Sequence, residues 1–131
     1  MERHEIKVLS DTRFSHAKEC LAAAKALLAM GGYKDAVNRS YYAIFHAMRA
    51  VLAFDGIDMK HHSGIMAHFR MLYIKTGVFD KSLSDIITEA FELRTDSDYD
   101  DFFQISAEDA REQVENAQLF LDTVQQFLDR K

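Results

Sequence analysis

The chain has no proline in 131 residues and only one cysteine. Without proline, no position is forced out of a helix by a missing N–H or a ring clash. With Cys20 alone, no internal disulfide can form, so the fold must hold by packing. Cys20 lies in an alanine-rich stretch and reads as a small core or groove residue. Long apolar runs are also absent. Lys25, Arg49 and Arg70 interrupt the most hydrophobic stretches, and none reaches the length of a membrane span. The opening Met-Glu-Arg-His-Glu-Ile holds no apolar run that would serve as a signal peptide. These absences predict a cytoplasmic protein with no membrane association.

What is present suits one domain, 1–131. Hydrophobic residues make up 48% of the chain, enough at this length to bury a core without staples. The net charge of −5 argues against broad, sequence-blind nucleic-acid binding. That charge is unevenly placed, however. Residues 80–131 carry five basic and fourteen acidic side chains, a net of −9, whereas residues 36–79 carry five basic and two acidic, a net of +3, with four of the six histidines. An acidic protein can therefore hold a local anion site.

Gly31-Gly32, Gly56 and Gly77 each follow an apolar helical pattern and suit left-handed C-terminal caps. Ser63, Ser82 and Ser106 are predicted N-caps, the last two opening Ser-x-x-Asp runs related to the capping box. Five helices follow, at about 8–30, 34–54, 63–76, 82–96 and 106–129. In the last, Ala107, Ala110, Val114, Ala117, Leu121, Val124 and Leu128 alternate steps of three and four, the seam of long antiparallel packing. Phe14, Ala17, Leu21, Ala24 and Leu28 repeat that stripe in the first helix. No strand alternation competes, so the predicted class is all-α, an up-and-down antiparallel bundle.

The second helix carries two stripes on roughly opposite sides. Val37, Tyr41, Ile44, Met48 and Val51 form a core face, and Arg39, Tyr42, His46 and Arg49 a face predicted to be presented to solvent. Arg39 and His46 stand seven residues apart, two turns along one face. A permanent cation beside a side chain that titrates near neutrality is the equipment for handling a phosphodiester. Asn38 lies next to Arg39 and Tyr42 lies between the pair. His61, His62 and His68 do not read as a metal site, because neighbouring histidines at a helix start cannot easily face one ion and no Cys or carboxylate spacing completes a shell. His62 is instead expected at the third helix's N-terminus, where free amides favour an anion. Arg94 and Asp98, four apart, suit an ion pair that fixes the connection to the last helix. The acidic run from Asp96 to Asp101 reads as solvated surface or as a contact for a basic partner.

Three motifs together resemble the HEPN domains, and within them a small stand-alone bacterial and archaeal subfamily. They are Ala36-Val37-Asn38-Arg39-Ser40-Tyr41-Tyr42-Ala43-Ile44-Phe45-His46-Ala47, Lys60-His61-His62-Ser63-Gly64 and Arg94-Thr95-Asp96-Ser97-Asp98-Tyr99. The resemblance covers essentially the whole chain, in the subfamily's order and spacing. The family's signature is an Arg, four to six residues and a His, and six residues separate Arg39 from His46. The resemblance implies a helical bundle that is usually a homodimer. In active members it implies a metal-independent endoribonuclease with a composite site, often a toxin neutralised by a small nucleotidyltransferase. After the Arg stands Ser40, where many ribonuclease members carry Asn, Asp or His.

On this reading Arg39 and His46 are catalytic, and Asn38, Tyr42, Arg49 and His62 bind the substrate RNA, with no metal or cofactor. RNA cleavage needs a group to take the 2′-hydroxyl proton, one to protonate the leaving 5′-oxygen, and positive charge on the phosphorane. One His and one Arg fall short of that, and two copies across a dimer axis would supply it. The alternative is a non-catalytic module that grips a nucleotide or a nucleotidyltransferase on the same face.

Overall fold

The computed structural model describes residues 1–59 and 61–131. Among the described residues there are five α-helices: α1 (Arg3–Ala29), α2 (Tyr33–Leu52), α3 (His62–Phe69), α4 (Ser82–Tyr99) and α5 (Ala107–Leu128). A 3₁₀ turn at Ala53–Asp55 prolongs α2, and a π-helical turn at Arg70–Ile74 prolongs α3. No strand forms among the described residues, and the architecture is the all-α antiparallel bundle that the periodicities predict. Lys60, which opens the Lys60–Gly64 motif, lies outside the described residues.

Where the boundaries differ from expectation, local chemistry accounts for it. α1 starts at Arg3, well before the predicted residue 8. Its first turns are mostly exposed and polar, so no apolar stripe marks them in the sequence. α4 runs past Asp96 to Tyr99 because Arg94 pairs with Asp98 at 3.0 Å across its last turn. Ser63 is inside α3, whose cap position is His61. Ser82 is the first residue of α4, and its amide donates to the Asp80 carboxylate at 3.0 Å, so the predicted capping box does not form there. Ser106 does cap α5, accepting from the Asp109 amide at 3.0 Å. Gly31 and Gly77, with φ of +81° and +84°, turn the chain where a side chain would be strained.

α2 is the centre of the bundle and packs against each of the other four helices. Twelve of its twenty residues are buried, including the whole predicted core stripe. Alanines make this possible: Ala17 and Ala24 of α1 and Ala36, Ala43, Ala47 and Ala50 of α2 are fully buried and let backbones approach closely. The α1–α2 pair is also tied by polar groups. The buried Ser10 hydroxyl donates to the Ala50 carbonyl at 2.8 Å, and the buried Arg13 guanidinium donates to the Arg49 carbonyl at 3.0 Å and to Asp58 at 2.9 Å. α5 lies along both, burying Ala110, Val114, Ala117, Leu121, Val124 and Leu128 as its seam predicts, with Phe120 and Phe127 added. At one end of the core, Phe69, Tyr73, Phe79, Phe120 and Phe127 pack ring on ring at centroid distances of 5.3–5.9 Å.

Truncating Ile44 or Leu121 to Ala should cost about 2–5 kcal/mol each, because both sit in this core and leave cavities behind. Ser106→Ala should cost about 1 kcal/mol through loss of the cap. Arg39→Ala should cost less than either core truncation, since its closest hydrogen bonds go to the adjacent Asn38 side chain. Denaturant unfolding of the four variants tests this order; an Arg39→Ala loss as large as that of Leu121→Ala would show Arg39 to be a structural element.

Candidate functional site

The site follows from the central position of α2. Arg39, Tyr42, His46 and Arg49 do share one face, yet each is half-buried and none stands open to solvent. The expectation of a freely presented face is corrected here: with helices packed on every side of α2, α1, α3 and α4 flank that stripe and turn it into a groove.

Within the groove each guanidinium has a partner that orients it. Arg39 donates through Nε at 3.1 Å and Nη2 at 2.7 Å to the side-chain oxygen of Asn38, and its plane lies over the Tyr42 ring at 5.0 Å. Asn38 thus holds Arg39 in place. Arg94, which the sequence suggested was mainly structural, reaches in from α4. It keeps its predicted pairing with Asp98, donates to the Tyr42 hydroxyl at 3.0 Å, and lies over both Tyr41 and Tyr42. Arg49 turns the other way, toward Asp58 at 3.5 Å, a carboxylate that it shares with Arg13.

His62, the first residue of α3, joins the same cluster. It stacks on Phe45 with centroids 4.2 Å apart, meets Tyr42 edge to face, and shares a 2.7 Å hydrogen bond with the Tyr41 hydroxyl through Nδ1. Burial first, then the Arg94 charge, lowers its pKa. The structure therefore brings Asn38, Arg39, Tyr42, His46 and His62 into one groove, with Arg49 at its margin. His68 is occupied elsewhere, bonded to the Gly64 carbonyl at 2.9 Å.

One side chain in the groove, His16, was not singled out from the sequence, and Cys20 takes a groove position as its sequence context suggested. His16 of α1 meets His46 edge-on with ring centroids 5.8 Å apart, and Cys20, one turn further on, brings its sulfur to 4.0 Å from Arg39 Nη1. Arg13, His16 and Cys20 repeat at i, i+3 and i+7, a polar stripe beside the apolar one in α1. That spacing was a usable signal, but nothing in it says which helix the stripe will face.

The environment of His46 decides its chemistry. Its Nδ1 is buried and has no hydrogen-bond partner, so Nε2 is the nitrogen left to exchange a proton with a ligand. Burial is the largest influence, and the charges of Arg49, His16, Arg39 and His62 add to it; together they push the pKa down to about 4. At neutral pH His46 is an uncharged imidazole among cations, in the state needed to accept a proton.

The linkage to stability follows from that depression. The folded pKa lies below the ordinary value of 6.5, so the unfolded chain takes up a proton that the folded protein refuses. This contribution is fully stabilising above about pH 6.5 and is lost as pH falls toward 4. Wild type should lose more stability between pH 7 and pH 5 than His46→Gln does. Parallel denaturant titrations at the two pH values measure it, and equal losses would place His46 in an unperturbed environment.

Among the described residues, no helix is long and apolar enough to cross a membrane. A family model described as HEPN domain matches residues 11–127. A UPF0332 protein of Thermotoga maritima is 34% identical over 113 residues, covering 86% of each chain. A protein of Methanocaldococcus jannaschii named "Putative toxin MJ0605" is 33% identical over 126 residues, covering 96% of this chain and 90% of that one. The crystal structure of ST0689, an archaeal HEPN homologue, superposes with a TM-score of 0.63 at 22% identity, over 98% of this chain and 99% of that one, a likeness of fold. With the Arg39–His46 pair set in a five-helix bundle and these matches along nearly its whole length, the chain belongs to the HEPN domain family.

Proposed function

We propose that this protein is a metal-independent endoribonuclease of the toxin type, active as a homodimer and restrained by a small nucleotidyltransferase partner. The observation that carries the reading is the pairing of an oriented guanidinium, Arg39, with a neutral, half-buried imidazole, His46, on either side of Tyr42 in one groove. RNA contains its own nucleophile. A base that removes the 2′-hydroxyl proton and a fixed positive charge on the phosphate are what the protein must add. His46 Nε2 is the base, and Arg39 takes the charge that builds on the phosphorane oxygens. Tyr42, whose hydroxyl oxygen is held by Arg94, turns its own proton toward the groove and donates to the phosphate.

Two M. jannaschii relatives carry toxin names, MJ0605 and MJ0142, and this supports the toxin assignment. Pairing of two chains about the α2 stripe doubles the cationic groups available to one RNA, and family members are usually dimers. Ser40, the departure from the residue common in ribonuclease members, is fully buried and faces the interior, so the groove loses no group through it.

The test is incubation of the purified protein with labelled RNA in EDTA. Wild type should leave 2′,3′-cyclic phosphate ends and should not cut DNA, which has no 2′-hydroxyl. His46→Ala should slow cleavage by about 10²–10⁴-fold, and Arg39→Ala should do comparable damage with the dimer intact. Activity that persists in His46→Ala or vanishes in EDTA would overturn the assignment. RNA that is bound but left uncut by wild type would favour the non-catalytic binding module. Light scattering should give a dimer; a species of 15.1 kDa at micromolar concentration would remove the composite site.

A further inference from the structure

The groove holds a second imidazole that the Arg–His signature does not include. His16 lies on α1, is exposed, and meets His46 edge-on at 5.8 Å between ring centroids. The contact is enforced by the fold. Arg13, one turn before, is clamped to the Arg49 carbonyl, and Cys20, one turn after, lies against Arg39, so α1 cannot slide along α2 without breaking both. Guanidiniums surround the two rings: Arg39 and Arg49 from α2, Arg13 from α1 and, beyond Tyr42, Arg94 from α4, with the exposed Asp58 pairing Arg13 and Arg49 at the margin. Among the described residues, no carboxylate bonds to either imidazole.

The two histidines differ in a way that suits opposite tasks. His46 is half-buried with one nitrogen sealed in, whereas His16 is exposed. We infer that His16 is a catalytic residue of the ribonuclease reaction, the general acid that protonates the leaving 5′-oxygen while His46 acts as the base. The inference rests on the ribonuclease reading and completes it within one protomer.

The step balances. His46 Nε2 takes the proton of the 2′-hydroxyl, the 2′-oxygen forms a bond to phosphorus, and the bond from phosphorus to the 5′-oxygen breaks. The departing 5′-oxygen takes a proton from the His16 imidazolium, leaving a 2′,3′-cyclic phosphate and a 5′-hydroxyl. His46 ends protonated and His16 neutral, and solvent returns both to their starting states. The buried ring's preference for the neutral form favours that return, since the proton on His46 is readily shed. Two imidazoles this close can address neighbouring oxygens of one phosphate held by Arg39.

The experiment compares wild type, His16→Ala, His16→Gln and His46→Ala on two substrates in EDTA: RNA, and uridine 3′-(4-nitrophenyl phosphate), whose leaving group departs without protonation. His16→Ala and His16→Gln should each slow RNA cleavage by about 10²-fold or more and change the nitrophenyl ester rate by less than a few-fold. His46→Ala should slow both. The His16 variants should also lose the high-pH fall of the RNA rate profile, and added imidazole, which can reach an exposed site, should restore part of their rate. If His16 variants cleave RNA at the wild-type rate, or lose both substrates equally with no imidazole rescue, the general-acid role is wrong while the ribonuclease reading stands. If wild type itself shows no cleavage that depends on His46, the ribonuclease reading fails and the role of His16 fails with it.

Discussion

The close seating of α1 on α2 is the constraint from which the rest of the molecule follows. Six buried alanines thin the interface, and the Ser10 and Arg13 bonds to α2 carbonyls set its register. Because that register is set, His16 falls opposite His46 and Cys20 opposite Arg39. A bulkier side chain at Ala17 or Ala47 would push the helices apart and dissolve the groove before it unfolded the bundle, since interiors packed to this density tolerate little added volume. The position of α2 at the centre has a second effect. Past its exposed first turn, with Lys34 and Asp35, no polar residue on it escapes partial burial, so even its charged stripe lies where electrostatic interactions are stronger than in water.

The groove uses that property economically. Three guanidiniums border it, and each has a partner that turns it: Arg39 bonds to Asn38, Arg94 bonds to the Tyr42 hydroxyl and pairs with Asp98, and Arg49 pairs with Asp58. Oriented in this way, they need little rearrangement when an anion arrives, and reorganisation is the main cost of electrostatic catalysis. Asp58 is exposed and Asp98 lies at the end of α4, so the balancing carboxylates sit at the edges and leave the interior of the groove positive. The net charge of −5 comes from residues 80–131, which carry a net of −9, and says little about this local field.

His46 shows how burial and neighbours set a role. An imidazole in water is half charged near neutrality and would serve either as acid or as base. Among Arg39, Arg49, His16 and His62, and with Nδ1 sealed off, only the neutral form is comfortable. In the mechanism proposed above, the second, exposed imidazole beside it takes the other half of the acid–base work.

The sequence alone determined the helices, their apolar seams and the Arg39–His46 pair, because each depends on neighbours within a few turns of one chain segment. Ala17, Leu21, Val114, Leu121, Ile44 and Met48 could be placed in the core from spacing alone, and Ser106 could be assigned as a cap from its own residues. Only the tertiary structure decided which stripe meets which. It put His16 and Cys20 of α1, and Arg94 of α4, into the groove, although they lie 19 to 52 residues from their partners. It also half-buried a face that the 100° rule leaves open to solvent, since that rule counts one helix and knows nothing of α1, α3 and α4 around it. Local periodicity sets which side chains share a face. Depth, protonation and the company each one keeps arise from packing between segments far apart in the chain, and no spacing rule within a single helix carries that information.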